Sequence, residues 1–335
     1  MPDTRVARSA TGSAGLAGPD GKLCPALARL FPRSAPPARG KEPCRAASST
    51  SRLILSCSRS SRAGSRVRLV PCTTSTGGGG GRPILLLHGN PDWEFLYRKI
   101  VSALKDDFRC IVPDYPGFGL SIHPSGYGYS SEEHAAVVGE LVDELDLQDF
   151  IVMGQDWGGP IRMEIASQRA DRVGGLVMGN TWYWADNCLI TRIFSNVMGS
   201  FPLQLLITRR NFFVSPLMKR TLQVKLSDAE FAHYQDVVPI PESCAGIAEL
   251  PKQIRRAHPW LRKLGARVRE TLSEKPILLP FGMKDPFFSR DAVVKTWQAN
   301  FPQAELIRLE TAGHYIQEDD PDSIAKAIRD KFAAG

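Results

Sequence analysis

Gly154-Gln155-Asp156-Trp157-Gly158 decides how this chain is read. It follows an apolar run, Asp149–Gly154 (DFIVMG), that predicts a buried strand, and it opens a helix predicted from Gly158 to about Ala170. The pentapeptide has the form G-x-S-x-G with Asp in the place of Ser. Small residues two before and two after the central position allow a tight strand-to-helix turn. That turn lifts the middle side chain above the sheet, beside a helix N-terminus that stabilises an anion. A hydroxyl there suits attack on a carbonyl, whereas a carboxylate can displace a leaving group from saturated carbon and form an alkyl ester. Asp156 alone would also be explained as a residue that merely caps the following helix.

Its neighbours along the chain favour the chemical reading. His314 follows the predicted strand Ala304–Leu309 (AELIRL) and precedes a helix predicted at Asp322–Phe332, where it can act as a general base that activates water against an ester on Asp156. Asp285, in Gly282–Pro286 (GMKDP), follows the strand Pro276–Phe281 and can hold the other imidazole N–H, although Asp before Pro also suits an ordinary turn. The loop His88–Trp93 (HGNPDW) follows the strand Pro83–His88 and supplies backbone N–H groups facing the nucleophile. The Asn90 amide and the Trp157 indole N–H are donors that can solvate a departing anion. Each has a plainer use, Asn90 in a turn and Trp157 in the core.

Further strands are predicted at Phe108–Pro113 and Val173–Met178, making six, and helices at Trp93–Leu104, Ser131 to about Leu145 behind the capping box Ser130–Glu133, and Arg290–Asn300. Strands alternating with helices predict an α/β fold with a mostly parallel sheet. Between Trp182 and about Val268 the pattern loosens into aromatic and basic helical segments, read as a helical cap inserted between the core halves 81–181 and 269–335.

The chain has 335 residues, 43% hydrophobic and 23% charged, which is ordinary for a globular protein. Its net charge of +7 is uneven: residues 1–80 hold 13 Lys or Arg against three acids, +10, so the remainder carries +7 − 10 = −3. A mildly acidic folded region has no nucleic-acid footprint. Residues 1–80 are rich in Ser, Arg, Ala, Pro and Gly without hydrophobic periodicity, which predicts a disordered basic leader. Seven cysteines show no C-x-x-C pair or metal-ligand spacing, and no run is long and apolar enough to span a membrane. The expected protein is cytoplasmic, needs no cofactor or metal, and has neither nucleic acid nor membrane as a partner; its oligomeric state is not encoded in these features.

The segments His88–Arg98 (HGNPDWEFLYR), Asp114–Ser121 (DYPGFGLS), Gln155–Ile161 (QDWGGPI), Tyr234–Pro241, Pro251–Ile254 and Gly313–Asp319 (GHYIQED) resemble the haloalkane dehalogenases of the α/β-hydrolase fold. The resemblance implies Asp156 as nucleophile, His314 as base, Asn90 and Trp157 as halide ligands, and a halogenated alkane and water as reactants. One branch of that family carries its triad acid after the strand before the cap, where this chain has Asn180. The resemblance is therefore to the branch whose acid follows the next strand, Asp285. Epoxide hydrolases are the nearest enzymatic alternative; they share the Asp and His but have Phe in the place of Asn90 and use two cap tyrosines, for which Tyr183 and Tyr234 are available. A coelenterazine luciferase is more distant, since its acid is a Glu.

The resemblance stops at Gly81, and the two strands that precede the His-Gly loop in the family are expected to be missing. A chain made inactive by that loss is the alternative from a different class. Cys72–Thr76 can be encoded as TGC ACT ACG TCG ACG, which from its third base reads His-Tyr-Val-Asp, the family's usual approach to this loop. We hypothesise a frameshift or a misassigned start. Resequencing the gene tests this: a single-base change that restores the family's strands is expected, and its absence would remove the idea.

Overall fold

The computed structural model describes residues 51–59, 68–77, 81–186, 188–238, 244–288 and 291–333, the first two segments as backbone. The strands are β1 (Ser51–Arg59), β2 (Arg68–Gly77), β3 (Arg82–Leu87), β4 (Phe108–Pro113), β5 (Phe150–Gln155), β6 (Val173–Gly179), β7 (Ile277–Gly282) and β8 (Glu305–Leu309). They form one sheet in the order β1-β2-β4-β3-β5-β6-β7-β8. From β4 through to β8 all pairings are parallel. Strands buried on both faces need continuous apolar runs, and Ile84, Leu85, Leu86 and Leu87 of β3 and Ile151, Val152 and Met153 of β5 are fully buried.

All six predicted strands are present, each within about a residue of its expected position. The sheet nevertheless has eight. β1 and β2 pair antiparallel along their whole length, and Thr74–Gly77 of β2 pairs antiparallel with Cys110–Pro113 of β4. The absence of the family's own two strands from the leader is as expected; β1 and β2 lie in the sheet beyond β4 without that sequence. Antiparallel pairing is carried by backbone N–H and C=O groups, so an open edge accepts chain whose side chains give little strand signal. The sequence predicts disorder over residues 1–80; residues 51–59 and 68–77 of that segment are instead strands, and residues 1–50, 60–67 and 78–80 lie outside the described residues.

The helices that flank the sheet are α1 (Arg98–Leu104), α2 (Ser131–Glu144) and α3 (Gly158–Gln168). The helix expected from Trp93 begins instead as a 3-10 turn, Glu94–Tyr97, because Asp114 accepts from the Glu94 N–H at 2.7 Å and fixes the entry of the chain. The capping box at Ser130 forms as read, with Ser130 Oγ accepting from Glu133 N and the Glu133 carboxylate from Ser130 N. Between β6 and β7 lie α4 (Leu189–Met198), α5 (Phe201–Arg210), α6 (Asp228–Asp236), α7 (Ala245–Arg256) and α8 (His258–Thr271). α8 already lies on the core layer, where Arg267 donates to Ser167 at 2.9 Å and pairs with Glu164 of α3. α9 (Asp291–Asn300) and α10 (Pro321–Phe332) complete the chain. No described helix is long and apolar enough to cross a membrane.

Three of the motifs quoted for the family resemblance meet in one buried network. The Glu318 carboxylate accepts from Tyr234 Oη at 2.5 Å, pairs with Lys99 Nζ at 2.9 Å, and takes both terminal nitrogens of Arg98. Arg98 also reaches Glu230 of α6 at 2.9 Å, so the network ties the helical insertion to the core. Removing one partner of a buried ion pair leaves the others without compensation. Glu318→Ala is therefore expected to lower stability by about 3–5 kcal/mol in urea unfolding; a loss within the error of the melt would show that the network contributes nothing.

Candidate active site

The turn after β5 has the conformation its glycines permit. Asp156 has a left-handed backbone, φ 49°, between β5 and α3. A Cβ on Gly158 would stand 2.2 Å from Leu87 O, and one on Gly154 would stand 2.6 Å from Gly158 O, so neither position tolerates a side chain. The bent turn is held by Asp156 N donating to Asn180 O at 3.1 Å and by Thr181 Oγ1 donating to Asp156 O at 2.6 Å. It is not a capping arrangement: α3 has no side-chain cap. Instead the Asp156 Oδ1 atom accepts from the backbone N–H of Asn90 at 3.1 Å. Burial raises the pKa of this carboxyl, while His314 and the backbone N–H groups of Trp157 and Asn90 oppose the rise.

His314 and Asp285 are joined. His314 Nδ1 lies 2.7 Å from Asp285 Oδ2, with Asp285 wholly buried. The backbone N–H groups of Phe287 and Phe288 donate to Asp285 Oδ1 at 2.7 and 3.2 Å. Although burial acts against it, the combined pull of His314 and these N–H groups leaves Asp285 below its ordinary pKa. His314 moves the other way, to about 9: burial lowers it, but Asp285 and then Asp156 outweigh that effect. The structure thus brings the predicted residues Asp156, His314 and Asp285 into one site, with Asn90 and Trp157, both buried, beside Asp156. The Asn90 side-chain amide donates one hydrogen to Ile247 O of α7 at 3.3 Å, and its oxygen has no hydrogen-bond partner.

Several contributors had no role in the sequence reading. Asn180 was noted only as a residue that cannot serve as the acid, yet its amide donates to Asp285 Oδ2 and to Gly313 O, each at 2.8 Å. Its oxygen accepts from Gly282 N at 2.8 Å. One side chain therefore fixes both Asp285 and the loop that carries His314. Gln155 Nε2 stands 2.9 Å from His314 Nε2 and 3.1 Å from His314 O. Trp182 meets Trp157 edge-on with centroids 4.8 Å apart, and Phe288 stacks against both Trp182 and His314, which walls the site with aromatic rings. No signal in a linear string marks these contacts, because each joins loops from different strands. Among the described residues no cluster of metal-ligating side chains occurs.

The geometry defines an α/β hydrolase: a positive-φ elbow after β5, a histidine after the last strand and an aspartate paired with it after the strand before. The sequence profile described as the alpha/beta hydrolase fold matches residues 82–321. Within that class the chain belongs to the haloalkane dehalogenase family. It is 52% identical over 254 residues to haloalkane dehalogenase 2 of Mycobacterium tuberculosis and of Mycobacterium bovis, covering 76% of this chain and 89% of the relative. The crystal structure of a haloalkane dehalogenase from Bradyrhizobium elkani superposes with a TM-score of 0.72 at 23% identity, over 85% of this chain and 98% of that one, a likeness of fold. A cis-3-alkyl-4-alkyloxetan-2-one decarboxylase of Shewanella oneidensis is 29% identical over 262 residues, 75% of this chain and 82% of that protein.

Asp92 is the most unusual group in the site. It is buried, both carboxyl oxygens lack a hydrogen-bond partner, and burial raises its pKa to about 8, with His314 opposing and Asp156 and Glu318 adding to the rise. Because the folded value lies above the ordinary 3.8, the fold favours neutral Asp92, and the stability tied to that form is lost as pH climbs from about 4 to about 8. Asp92→Asn has no such proton to lose. At pH 8 it is expected to be the more stable protein by about 1–3 kcal/mol, with the gap closing toward pH 4. Parallel urea curves for the two proteins across that range would contradict this assignment.

Proposed function

We propose that the protein hydrolyses haloalkanes to an alcohol and halide through an alkyl ester on Asp156. The observation that supports this most is the carboxylate at the elbow with a backbone donor already on its Oδ1, within electrostatic reach of a His314 imidazole that is itself held by Asp285. An Asp156 oxygen attacks the carbon, the carbon–halogen bond breaks, and the halide leaves with the bonding pair. It is received by the second amide hydrogen of Asn90 and the indole N–H of Trp157. His314 then removes a proton from water, and the resulting hydroxide attacks the ester carbonyl. The negative oxygen of the tetrahedral intermediate faces the backbone N–H groups of Asn90 and Trp157, and collapse releases the alcohol and regenerates Asp156.

Asp285 is the main group that raises the His314 pKa, with Asp156 adding to it, so loss of the Asp156 charge on ester formation shifts the imidazole downward, toward the basic form. Asp285 and the Asn180 amide orient the ring throughout. Against an epoxide hydrolase, Tyr234 donates its hydroxyl to Glu318, and Tyr183 is buried among Trp184, Trp297 and Phe301. We assign the reaction to the cytoplasm, where the free thiols of Cys110, Cys188 and Cys244 persist.

Halide release from a brominated alkane by the wild-type chain, with a loss of roughly 10⁴-fold or more in Asp156→Ala, is the expected result. His314→Phe should release about one halide per chain and gain the mass of the alkyl group. Full activity in Asp156→Ala, or preferred turnover of styrene oxide or of a β-lactone, would overturn the proposal.

A further inference from the structure

The outer surface of the helical insertion combines two features that the reaction does not use. Leu189, Ile190, Ile193 and Val197 of α4 are all exposed, Leu189 to 67%. At helical spacing they fall within an arc of about 100°. The face continues onto α5 with Phe201, 80% exposed, and Leu205 one turn later. Single exposed apolar residues are unremarkable, but a run of this length on two consecutive helices marks an interaction surface.

Beside it, between α4 and the end of α7, lies a groove of about 670 Å³ lined by Arg192, Lys252, Arg255 and Arg256. Glu249 engages Lys252 at 3.1 Å and Arg256 at 2.8 Å. Arg255 hydrogen-bonds the neutral Asn196 amide, and neither it nor Arg192 forms an ion pair among the described residues. Four cations therefore face one carboxylate. On α4 the groove residues Arg192 and Asn196 flank the apolar arc, while Phe194 points the other way and meets Phe287, beside the Asp285 loop, with centroids 5.3 Å apart.

We propose that this face of α4 and α5, with its basic groove, binds an anionic lipid surface. Apolar side chains along one side of paired helices and Arg or Lys along the flank is the arrangement that seats a helix at the boundary between headgroups and acyl chains. Two other occupants are disfavoured by charge. A second copy docked face to face would bring the same basic groove toward itself, and the segment 1–50, with eight Lys or Arg against three acids, carries the wrong charge for the groove. The expectation of no membrane partner rested on the lack of a spanning segment, and that lack stands; a surface-seated helix needs none. If the protein is the hydrolase proposed above, a lipid-dissolved substrate would then meet a helix whose other side packs on Phe287, next to the Asp285 loop. The lipid binding itself does not depend on that reading.

The test is sedimentation of the full chain with phosphatidylcholine vesicles that contain phosphatidylglycerol, against vesicles of phosphatidylcholine alone. Binding is expected to the first, to weaken with added salt, and to be nearly absent from the second. Ile193→Glu with Phe201→Glu, and separately Lys252→Glu with Arg255→Glu, should each weaken it by about tenfold or more while leaving the melting temperature and halide release unchanged. The proposal is overturned if the folded wild-type chain stays in the supernatant with both vesicles, or if the charge reversals leave binding intact. It is equally overturned if sedimentation velocity finds a self-associated species that Phe201→Glu dissociates and vesicles do not compete with.

Discussion

The structure depends on one backbone constraint, the left-handed turn that Asp156 makes between β5 and α3. A residue with a Cβ holds that conformation only when its surroundings leave no alternative. Here the alternatives are closed by contact: Gly158 approaches Leu87 O too closely for a side chain, Gly89 does the same to Asp156, and Thr181 and Asn180 bind the turn from β6. The result is a carboxylate that stands at the C-terminal end of the sheet with its oxygen on a backbone N–H, at the place where open α/β sheets collect ligands.

Around that turn the electrostatics are arranged in opposition. Asp285 is stabilised as an anion by two backbone N–H groups and the Asn180 amide; His314 is pushed up by two carboxylates; Asp156 is raised by burial while His314 and two backbone N–H groups oppose the rise. Aromatic rings of Trp157, Trp182 and Phe288 pack beside the site and make its surroundings less polar, which strengthens each of these interactions. Asp92 sits in the same enclosure without a hydrogen-bond partner, a cost that the site sustains only while the group stays neutral.

The core strands were legible because burial on both faces demands uninterrupted apolar runs, and Asp156, His314 and Asp285 stood out as candidates because each follows a strand. Asn180 shows where a string of residues stops informing. Its position after β6 announced only that a carboxylate was absent, whereas three hydrogen bonds to Asp285, Gly282 and Gly313 make it the brace between acid and base. Asp92 lay in a quoted motif, but isolation of a carboxyl is a property of what surrounds it in space. β1 and β2 escaped notice because their pairing is a matter of backbone. The network of Arg98, Tyr234 and Glu318 joins segments more than 80 residues apart, so no local pattern encodes it.

Whether Asp156 bonds to carbon or only steers water is the claim on which the chemistry rests. Single turnover of a haloalkane in water labelled with heavy oxygen separates the two, by mass analysis of the peptide that carries Asp156 and of the alcohol. The account predicts that the label enters the Asp156 carboxylate while the first alcohol formed carries unlabelled protein oxygen. Labelled alcohol from an unlabelled Asp156 would contradict it.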